Sequence, residues 1–162
     1  MSFSNDVKNE LSRLETNEVC CDKAEVLGVL RMSGAIVIRG MNIGIHFSTE
    51  NAALARRVLQ ILKNNYQVQT EVVITRSRRL KKNNRYQVRV LPAPQVSIAM
   101  NELQLLSMES DLKNPLLNKQ CCKRAFLRGA FLGGGSISRP SSDYHLEMVT
   151  GNEDFARSII KV

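Results

Sequence analysis

Hydrophobic and polar positions along the chain repeat with two periods, one of three to four residues and one of two. The longer period is typical of amphipathic helices and the shorter of strands with one buried face. The alternation predicts an α/β protein with antiparallel strands. The predicted helices cover 4–15, 22–33, about 49–64, 95–106, 122–133 and a segment from 152 onward, and the predicted strands cover 35–39, 43–48, 67–75, 85–91, 136–139 and 144–149.

Two local expectations concern single side chains. Ser4 or Asn5 is expected to cap the first helix, because short polar side chains accept hydrogen bonds from free amides at a helix start. Arg56, Arg57 and Lys63 lie off the apolar stripe of the helix at 49–64. We therefore expect these three basic side chains to be largely solvated.

The helix at 22–33 has a second copy. When 20–56 is shifted by 101 positions, ten residues recur without a gap, among them the rare pair Cys20-Cys21 at Cys121-Cys122. A match that continues from a helix through strands into another helix indicates a duplicated structural unit. Chance similarity between two amphipathic segments is the alternative.

Both copies carry small residues on one helical stripe. Residues of this size four positions apart allow two helix backbones to approach closely, and a glycine inside a helix otherwise costs about 1 kcal/mol relative to alanine. We therefore expect the two helices to pair at the centre of a pseudo-twofold arrangement, with separate core helices that never touch as the alternative. The expected interface residues are Ala24, Gly28, Met32, Ala125, Gly129 and Gly133.

Three strings of the sequence resemble known families. The string at 127–135, LRGAFLGGG, resembles the LAGLIDADG helix of homing endonucleases. The strings at 1–11 and 121–136 resemble the WhiA family, bacterial DNA-binding regulators in which a LAGLIDADG-like domain precedes a helix-turn-helix domain. The resemblance extends over the whole chain. It implies tandem αββαββα units with curved antiparallel sheets on paired central helices, and a transcription regulator associated with sporulation, cell division and chromosome organisation.

The duplication also predicts a division of the chain. An N-terminal helix and the first unit occupy 1–106, a linker occupies 107–119, and the second unit occupies 120–162. By the shift of 101 positions, the counterparts of the third and fourth strands fall beyond Val162. We therefore expect the second unit to be cut short and the chain to be part of a longer protein.

The resemblance to nucleases includes an informative departure. In LAGLIDADG nucleases the last Asp of the motif holds the catalytic metal, and the matching positions here are Ser33 and Gly134. Metal-assisted cleavage of a phosphodiester requires hard oxygen ligands, usually carboxylates, and Glu25 lies two turns earlier on its helix. We expect no catalytic residue, bound metal or cofactor, with an active nuclease or RNA maturase as the alternative.

Charge and composition narrow the partners. The 162 residues include 23 Lys and Arg against 15 Asp and Glu, a formal charge of +8 that suits a polyanion, although many solvated surfaces reach it. The absence of Trp disfavours a stacking platform for single strands. Residues 1–15 are too charged for a signal peptide, and no apolar run is long enough for a transmembrane helix. We expect a cytoplasmic, nucleoid-associated protein without a membrane partner.

The segment 76–89 contains seven basic residues and no acid. In its strand, Tyr86, Val88 and Val90 are expected to face the helices, and the alternate residues to face outward. Such a hairpin suits duplex DNA. The alternatives are a solvated edge hairpin protected by charge, and an interaction surface for an acidic protein or the chain's own C-terminal domain. The candidate DNA-binding residues are Arg39, His46, Arg76, Arg78, Arg79, Lys81, Lys82, Arg85, Gln87, Arg89 and Arg139.

The four cysteines form two adjacent pairs at the starts of the repeated helices. A reducing cytoplasm disfavours disulfides, and a zinc site is conceivable if the helices are parallel neighbours. Adjacent residues on a helix, however, point about 100° apart, which argues against tetrahedral convergence of four thiolates. We expect these cysteines to be small buried residues and not metal ligands.

Overall fold

A computed structural model describes residues 2–15, 18–76, 84–105, 113–141 and 143–162. Within these ranges, six α-helices and six strands follow the alternation predicted from the sequence. In chain order they are α1 (Phe3–Ser12), α2 (Val19–Ser33), β1 (Gly34–Arg39), β2 (Asn42–Thr49), α3 (Ala52–Tyr66), β3 (Thr70–Arg76), β4 (Asn84–Val90), α4 (Pro94–Leu103), α5 (Gln120–Gly134), β5 (Gly135–Ile137), β6 (Leu146–Met148) and α6 (Glu153–Lys161), with a 3₁₀ turn at Pro115–Leu117 before α5.

Helices α2 and α5 lie side by side at the centre of the molecule. A Cβ atom built on Gly28 would lie 2.3 Å from the Phe126 carbonyl oxygen, and one built on Gly129 would lie 1.9 Å from the Glu25 carbonyl oxygen. These separations leave no space for a side chain, so the two backbones are in direct contact. The expected central helix pair is confirmed, and its N-terminal ends lie together.

The first sheet is antiparallel and has the strand order β1-β2-β4-β3. Helix α3 carries the chain from β2 to the edge strand β3, and β4 then returns between them. Phe47 lies opposite Val88, and both are buried against the helices. His46 lies opposite Arg89 on the other face. The alternation of strand residues therefore leaves one polar face outside the core.

The duplication is visible in the details of the two units. Asn51 caps α3 and accepts a hydrogen bond from the Leu54 amide at 3.0 Å. Its counterpart Asn152 caps α6 and accepts one from the Phe155 amide at 3.0 Å. The same order of helix, two strands and helix surrounds both caps. We infer that the repeat in the sequence is a repeat of structure.

The N-cap residue of helix α1 lies two or three positions earlier than expected. Ser2, and not Ser4 or Asn5, is the N-cap residue, and its hydroxyl accepts from the Asn5 amide at 3.1 Å. Ser4 instead reaches the second unit, where its hydroxyl accepts from the Ile137 amide at 2.6 Å and donates to the Ile137 carbonyl at 2.8 Å. The cap expectation was wrong because Ser4 has a tertiary partner that is distant in sequence.

The described part of the segment expected to be a linker packs against the helices. The Asn114 side chain is buried and donates to the Leu103 carbonyl at 3.1 Å, and Leu117 is buried in the core. Each helix in the described ranges is too short or too polar to cross a lipid bilayer.

Candidate nucleic-acid interface

The outer face of the first sheet collects five of the candidate DNA-binding residues. Directly opposed residues of antiparallel strands project to the same face, and the register pairs His46 with Arg89 and Arg85 with Thr75. By the same alternation Arg39, opposite Asn42 at the end of β1, lies on this face. The outer-face candidates are Arg39, His46, Arg85, Gln87 and Arg89.

Arg89 is held in place by two neighbours on this face. Its Nε donates to Gln87 Oε1 at 2.6 Å, and its Nη1 lies 3.4 Å from Glu71 Oε1. Glu71 is an acid that the sequence reasoning did not place here, although it lies two positions from Val73 on the strand that pairs with β4. Three arginines against one carboxylate leave the face positive.

The structure places Arg76 and Arg139 elsewhere. Arg76 lies opposite Asn84 at the far end of β3, and the alternation puts it on the same side as Ile74 and Tyr86, which is the helix side. Arg139 lies two residues after the end of β5, and by the shift of 101 positions it corresponds to Ile38 and not to Arg39. Arg76 is therefore one position out of the alternation that places a side chain on the outer face of β2 and β4, and Arg139 lies outside the paired residues of β5 and β6.

Four further candidates belong to the segment between β3 and β4. Arg78, Arg79, Lys81 and Lys82 lie outside the described residues.

The positions that correspond to nuclease acids lie where α2 and α5 end. The Ser33 hydroxyl donates to the Gly133 carbonyl. A Cβ atom at Gly134 would lie 2.6 Å from Met32 Cε, the flexible end of a side chain, and 3.1 Å from the Val149 carbonyl oxygen, so a side chain here would require Met32 to move. In the described ranges, the only group of three or more potential metal-binding side chains is formed by cysteines, far along the helices from this end.

Glu25 is buried and fully engaged by two arginines. Its Oε2 is 2.5 Å from Arg57 Nε on α3, and its Oε1 is 2.6 Å from Arg128 Nε on α5. The expectation that Arg57 is solvated was therefore wrong. The apolar stripe of α3 gave no sign of a buried acid on another helix, and a buried charge of this kind requires a partner.

A family model described as the WhiA N-terminal LAGLIDADG-like domain matches residues 19–106, and one described as the WhiA LAGLIDADG-like domain matches 123–162. The chain belongs to the WhiA family.

Relatives within the WhiA family agree with this assignment. A probable cell division protein WhiA of Oceanobacillus iheyensis is 41% identical over 167 residues, which cover 100% of this chain and 52% of that protein. One from Natranaerobius thermophilus is 37% identical over 166 residues, covering 100% and 51%. The chain thus spans about half the length of these curated WhiA relatives.

Solved WhiA structures share the fold. The N-terminal LAGLIDADG domain of a WhiA protein matches with a TM-score of 0.71 and 24% identity, covering 99% of this chain and 72% of that one. Full-length WhiA of Thermotoga maritima matches with a TM-score of 0.69 and 22% identity, covering 99% and 49%. The fold class predicted from the sequence is confirmed.

The four cysteine thiols of this WhiA-family chain lie close together, contrary to the expectation that adjacent helix positions keep them from converging. The Sγ atoms of Cys20, Cys21, Cys121 and Cys122 all lie within 4.8 Å of one another. Adjacent helix residues point about 100° apart, but the direction from one helix to the other can bisect that angle. Each thiol then deviates from the direction between the helices by about half of that angle. The close contact of α2 and α5 brings the two cysteine pairs near each other.

The thiol cluster is partly shielded from water. Cys21 and Cys122 are buried, Cys20 is half-buried and Cys121 is exposed. Burial, together with hydrogen bonding to Cys121, raises the pKa of the Cys21 thiol to about 11. Burial also raises the pKa of the Cys122 thiol well above its usual value. Without a cation, these two buried groups are therefore neutral thiols at physiological pH.

Proposed function

We propose that this chain is a DNA-binding part of a WhiA-family transcription regulator and that it contacts duplex DNA through the outer face of β1, β2, β4 and β3 without cleaving it. The observation that carries the proposal is the cluster of Arg39, Arg85 and Arg89 on one polar face, with Glu71 as its acid. The formal charge of +8 is consistent with a polyanionic partner.

Electrostatics gives this face its affinity for DNA. Each phosphate that a basic side chain neutralises releases condensed counterions, so binding weakens as salt rises. Arginine also offers a planar fork of donors that fits a phosphate or the edge of guanine. Arg89, oriented by Gln87, has its guanidinium on the open face and suits either contact.

The absence of cleavage rests on the helix ends. Ser33 is engaged with a backbone carbonyl, Gly134 has no side chain, and Glu25 is neutralised by two arginines. The chain keeps a fold of the homing-endonuclease type but lacks the carboxylates that would hold magnesium ions. The chain acts at the nucleoid, in cell division, sporulation or chromosome organisation, with a C-terminal helix-turn-helix domain as a further partner.

Salt-dependent binding tests the interface. In the double variant Arg85→Gln/Arg89→Gln, we expect weaker binding to a duplex and a slope of log K against log salt that is shallower by about 2, since each lost phosphate contact removes about 0.9. The matched control Arg56→Gln/Arg157→Gln also removes two positive charges and so has the same net charge. Both of its arginines are exposed on helices away from this face. Equal slopes for the two double variants would show that the sheet is not the contact.

A plasmid assay tests the non-catalytic part of the proposal. The chain is incubated with supercoiled DNA and magnesium, with and without a chelator. We expect the plasmid to remain supercoiled in both. Nicking that the chelator abolishes, and that persists after repeated purification, would instead establish a nuclease.

A further inference from the structure

We propose that Cys20, Cys21, Cys121 and Cys122 form a structural zinc site that joins the N-terminal ends of α2 and α5. This site is independent of DNA binding. Its basis is the convergence of four free thiols from two copies of one motif, with all sulfur atoms within 4.8 Å of one another.

The sulfur separations suit a tetrathiolate. A zinc–sulfur bond of about 2.3 Å places the sulfur atoms of a tetrahedral site about 3.8 Å apart. The thiols therefore need to close by about 1 Å at most, which side-chain rotation can supply. Four soft ligands with no oxygen donor among them favour zinc over magnesium or calcium. A complete set of four protein ligands indicates a structural site and not a catalytic one.

The two helix starts provide a suitable electrostatic setting. α1, α3 and α6 each begin with a Ser or Asn side chain that accepts an amide hydrogen bond, whereas α2 and α5 have no side-chain cap. Cys20 and Cys121 are the second residues of their helices, where free amides and the helix dipole favour negative charge. A zinc tetrathiolate carries two net negative charges, so both helix starts would stabilise it.

Glu18 is the neighbouring group that must respond to the ion. The Cys20 thiol donates to Glu18 Oε2 at 3.3 Å, and the Cys121 thiol lies 4.0 Å from the same oxygen. On metal binding both thiols lose their protons, and the carboxylate then faces like charge. Glu18 is exposed and can rotate into solvent. A Glu18→Gln variant keeps all four thiols and removes the repulsion.

The first experiment uses the unaltered chain. After purification under reducing conditions and treatment with a chelator, it is titrated with zinc and, separately, with cobalt(II). We expect one ion per chain, a cobalt spectrum with sulfur-to-metal charge transfer and the intense visible bands of tetrahedral coordination, and protection of all four cysteines from alkylation by zinc. Octahedral cobalt bands, or cysteines that alkylate equally with and without zinc, would overturn the proposal.

Variants identify the ligands. Cys121 is exposed, so Cys121→Ser is expected to fold, as circular dichroism can verify. Its zinc affinity should fall by more than the roughly 10- to 100-fold that is typical of outer-shell changes, and its tetrahedral cobalt spectrum should be lost. Glu18→Gln should bind at least as tightly as the unaltered chain. Loss of binding in Glu18→Gln with retention in Cys121→Ser would exclude a four-cysteine site.

Discussion

At the scale of single residues, Gly28 and Gly129 matter because they have no side chain. Each faces the backbone of the partner helix at a distance that no Cβ atom tolerates. Because both neighbours are backbone atoms, the contact cannot be relieved by a side-chain rotation. These two positions therefore set the separation of α2 and α5, and with it the positions of every group that spans the two helices.

A methyl group at Gly129 should separate the helices. We expect Gly129→Ala to lower the free energy of unfolding by about 3 kcal/mol or more, at the upper end of overpacking costs. The matched control is Gly151→Ala, where nothing lies within 4 Å of an added Cβ, and its change should stay within about 0.5 kcal/mol. Urea denaturation of both variants measures the difference, and similar values for the two would contradict the tight helix contact.

The buried Glu25 gives a second residue-scale prediction. Arg57→Met removes one of its two partners and also the hydrogen bond from Arg57 Nη1 to the Leu14 carbonyl at 2.6 Å. A buried carboxylate that loses a partner typically costs about 3 to 5 kcal/mol. Thermal and urea unfolding should show this loss for Arg57→Met and almost none for Arg56→Met on the exposed side of α3. A stable Arg57→Met chain would show that Glu25 is satisfied by Arg128 alone.

At the scale of elements, the duplicated caps differ in their surroundings. Within the described residues, the Asn152 side chain caps only its own helix, whereas the Asn51 side-chain amide also donates to Asn5 Oδ1 at 3.1 Å and Asn9 Oδ1 at 2.9 Å. One element of the first unit thus anchors α1 as well as α3. The second unit contains no equivalent anchor in its described cap.

Paired alanine substitutions at the two caps measure this asymmetry. Asn152→Ala should cost about 1 kcal/mol, the usual value for a lost N-cap. Asn51→Ala should cost at least about 1 kcal/mol more, because two further hydrogen bonds between helices are lost. Amide exchange should rise in α1 only for Asn51→Ala. Equal costs, with α1 unaffected, would indicate that the Asn5 and Asn9 contacts add nothing.

The elements themselves were largely predictable from the sequence. Apolar spacing predicts the repeated helices at 22–33 and 122–133, and the structure extends them to Val19–Ser33 and Gln120–Gly134. The residues added at the start of α2 contain Cys20 and Cys21, and those added at the start of α5 contain Cys121. The apolar spacing gives no signal at these cysteines. The alternation in β4 correctly separates Val88 and Val90 from Arg85 and Arg89, because a strand has a strict period of two.

What the sequence did not reveal depends on contacts between distant segments. The partner of Arg57 lies 32 positions away, and the partner of Ser4 lies 133 positions away. Convergence of the four thiols depends on how closely two helices approach, which no local pattern measures. The outer sheet face was predictable only where the alternation along a strand is clear. Arg76, at the end of β3, lies on the helix side by the strand register, and the role of Arg139 stays a prediction.

At the scale of the whole molecule, α2 and α5 belong to different copies but form one core. Phe126 of α5 is buried and packs edge-on against Phe155 of α6, with ring centroids 6.0 Å apart, and the same cluster includes Leu54 and Val88 of the first unit. Because α2 and α5 belong to this shared core, unfolding of either unit would expose the buried surface of the other. The described parts of both units should therefore unfold as one.

Native-state hydrogen exchange tests this cooperativity. We expect the most protected amides of α2, α5 and β2 to exchange with the same free energy, and that energy to equal the value from urea denaturation, as in two-state unfolding. Gly129→Ala should lower all three together. A variant in which α5 loses protection while β2 keeps it would show that the units are separate folding domains.

The Ser4 contact has a consequence for the order of events during synthesis. Helix α1 leaves the ribosome well before α5, and the partner of its Ser4 hydroxyl at Ile137 is made 133 residues later. Until then α1 can dock on the nascent first unit through Asn5 and Asn9, but the strand edge it seals does not exist. Completion of that seam is therefore a late event, reached only after more than four-fifths of these 162 residues have been translated.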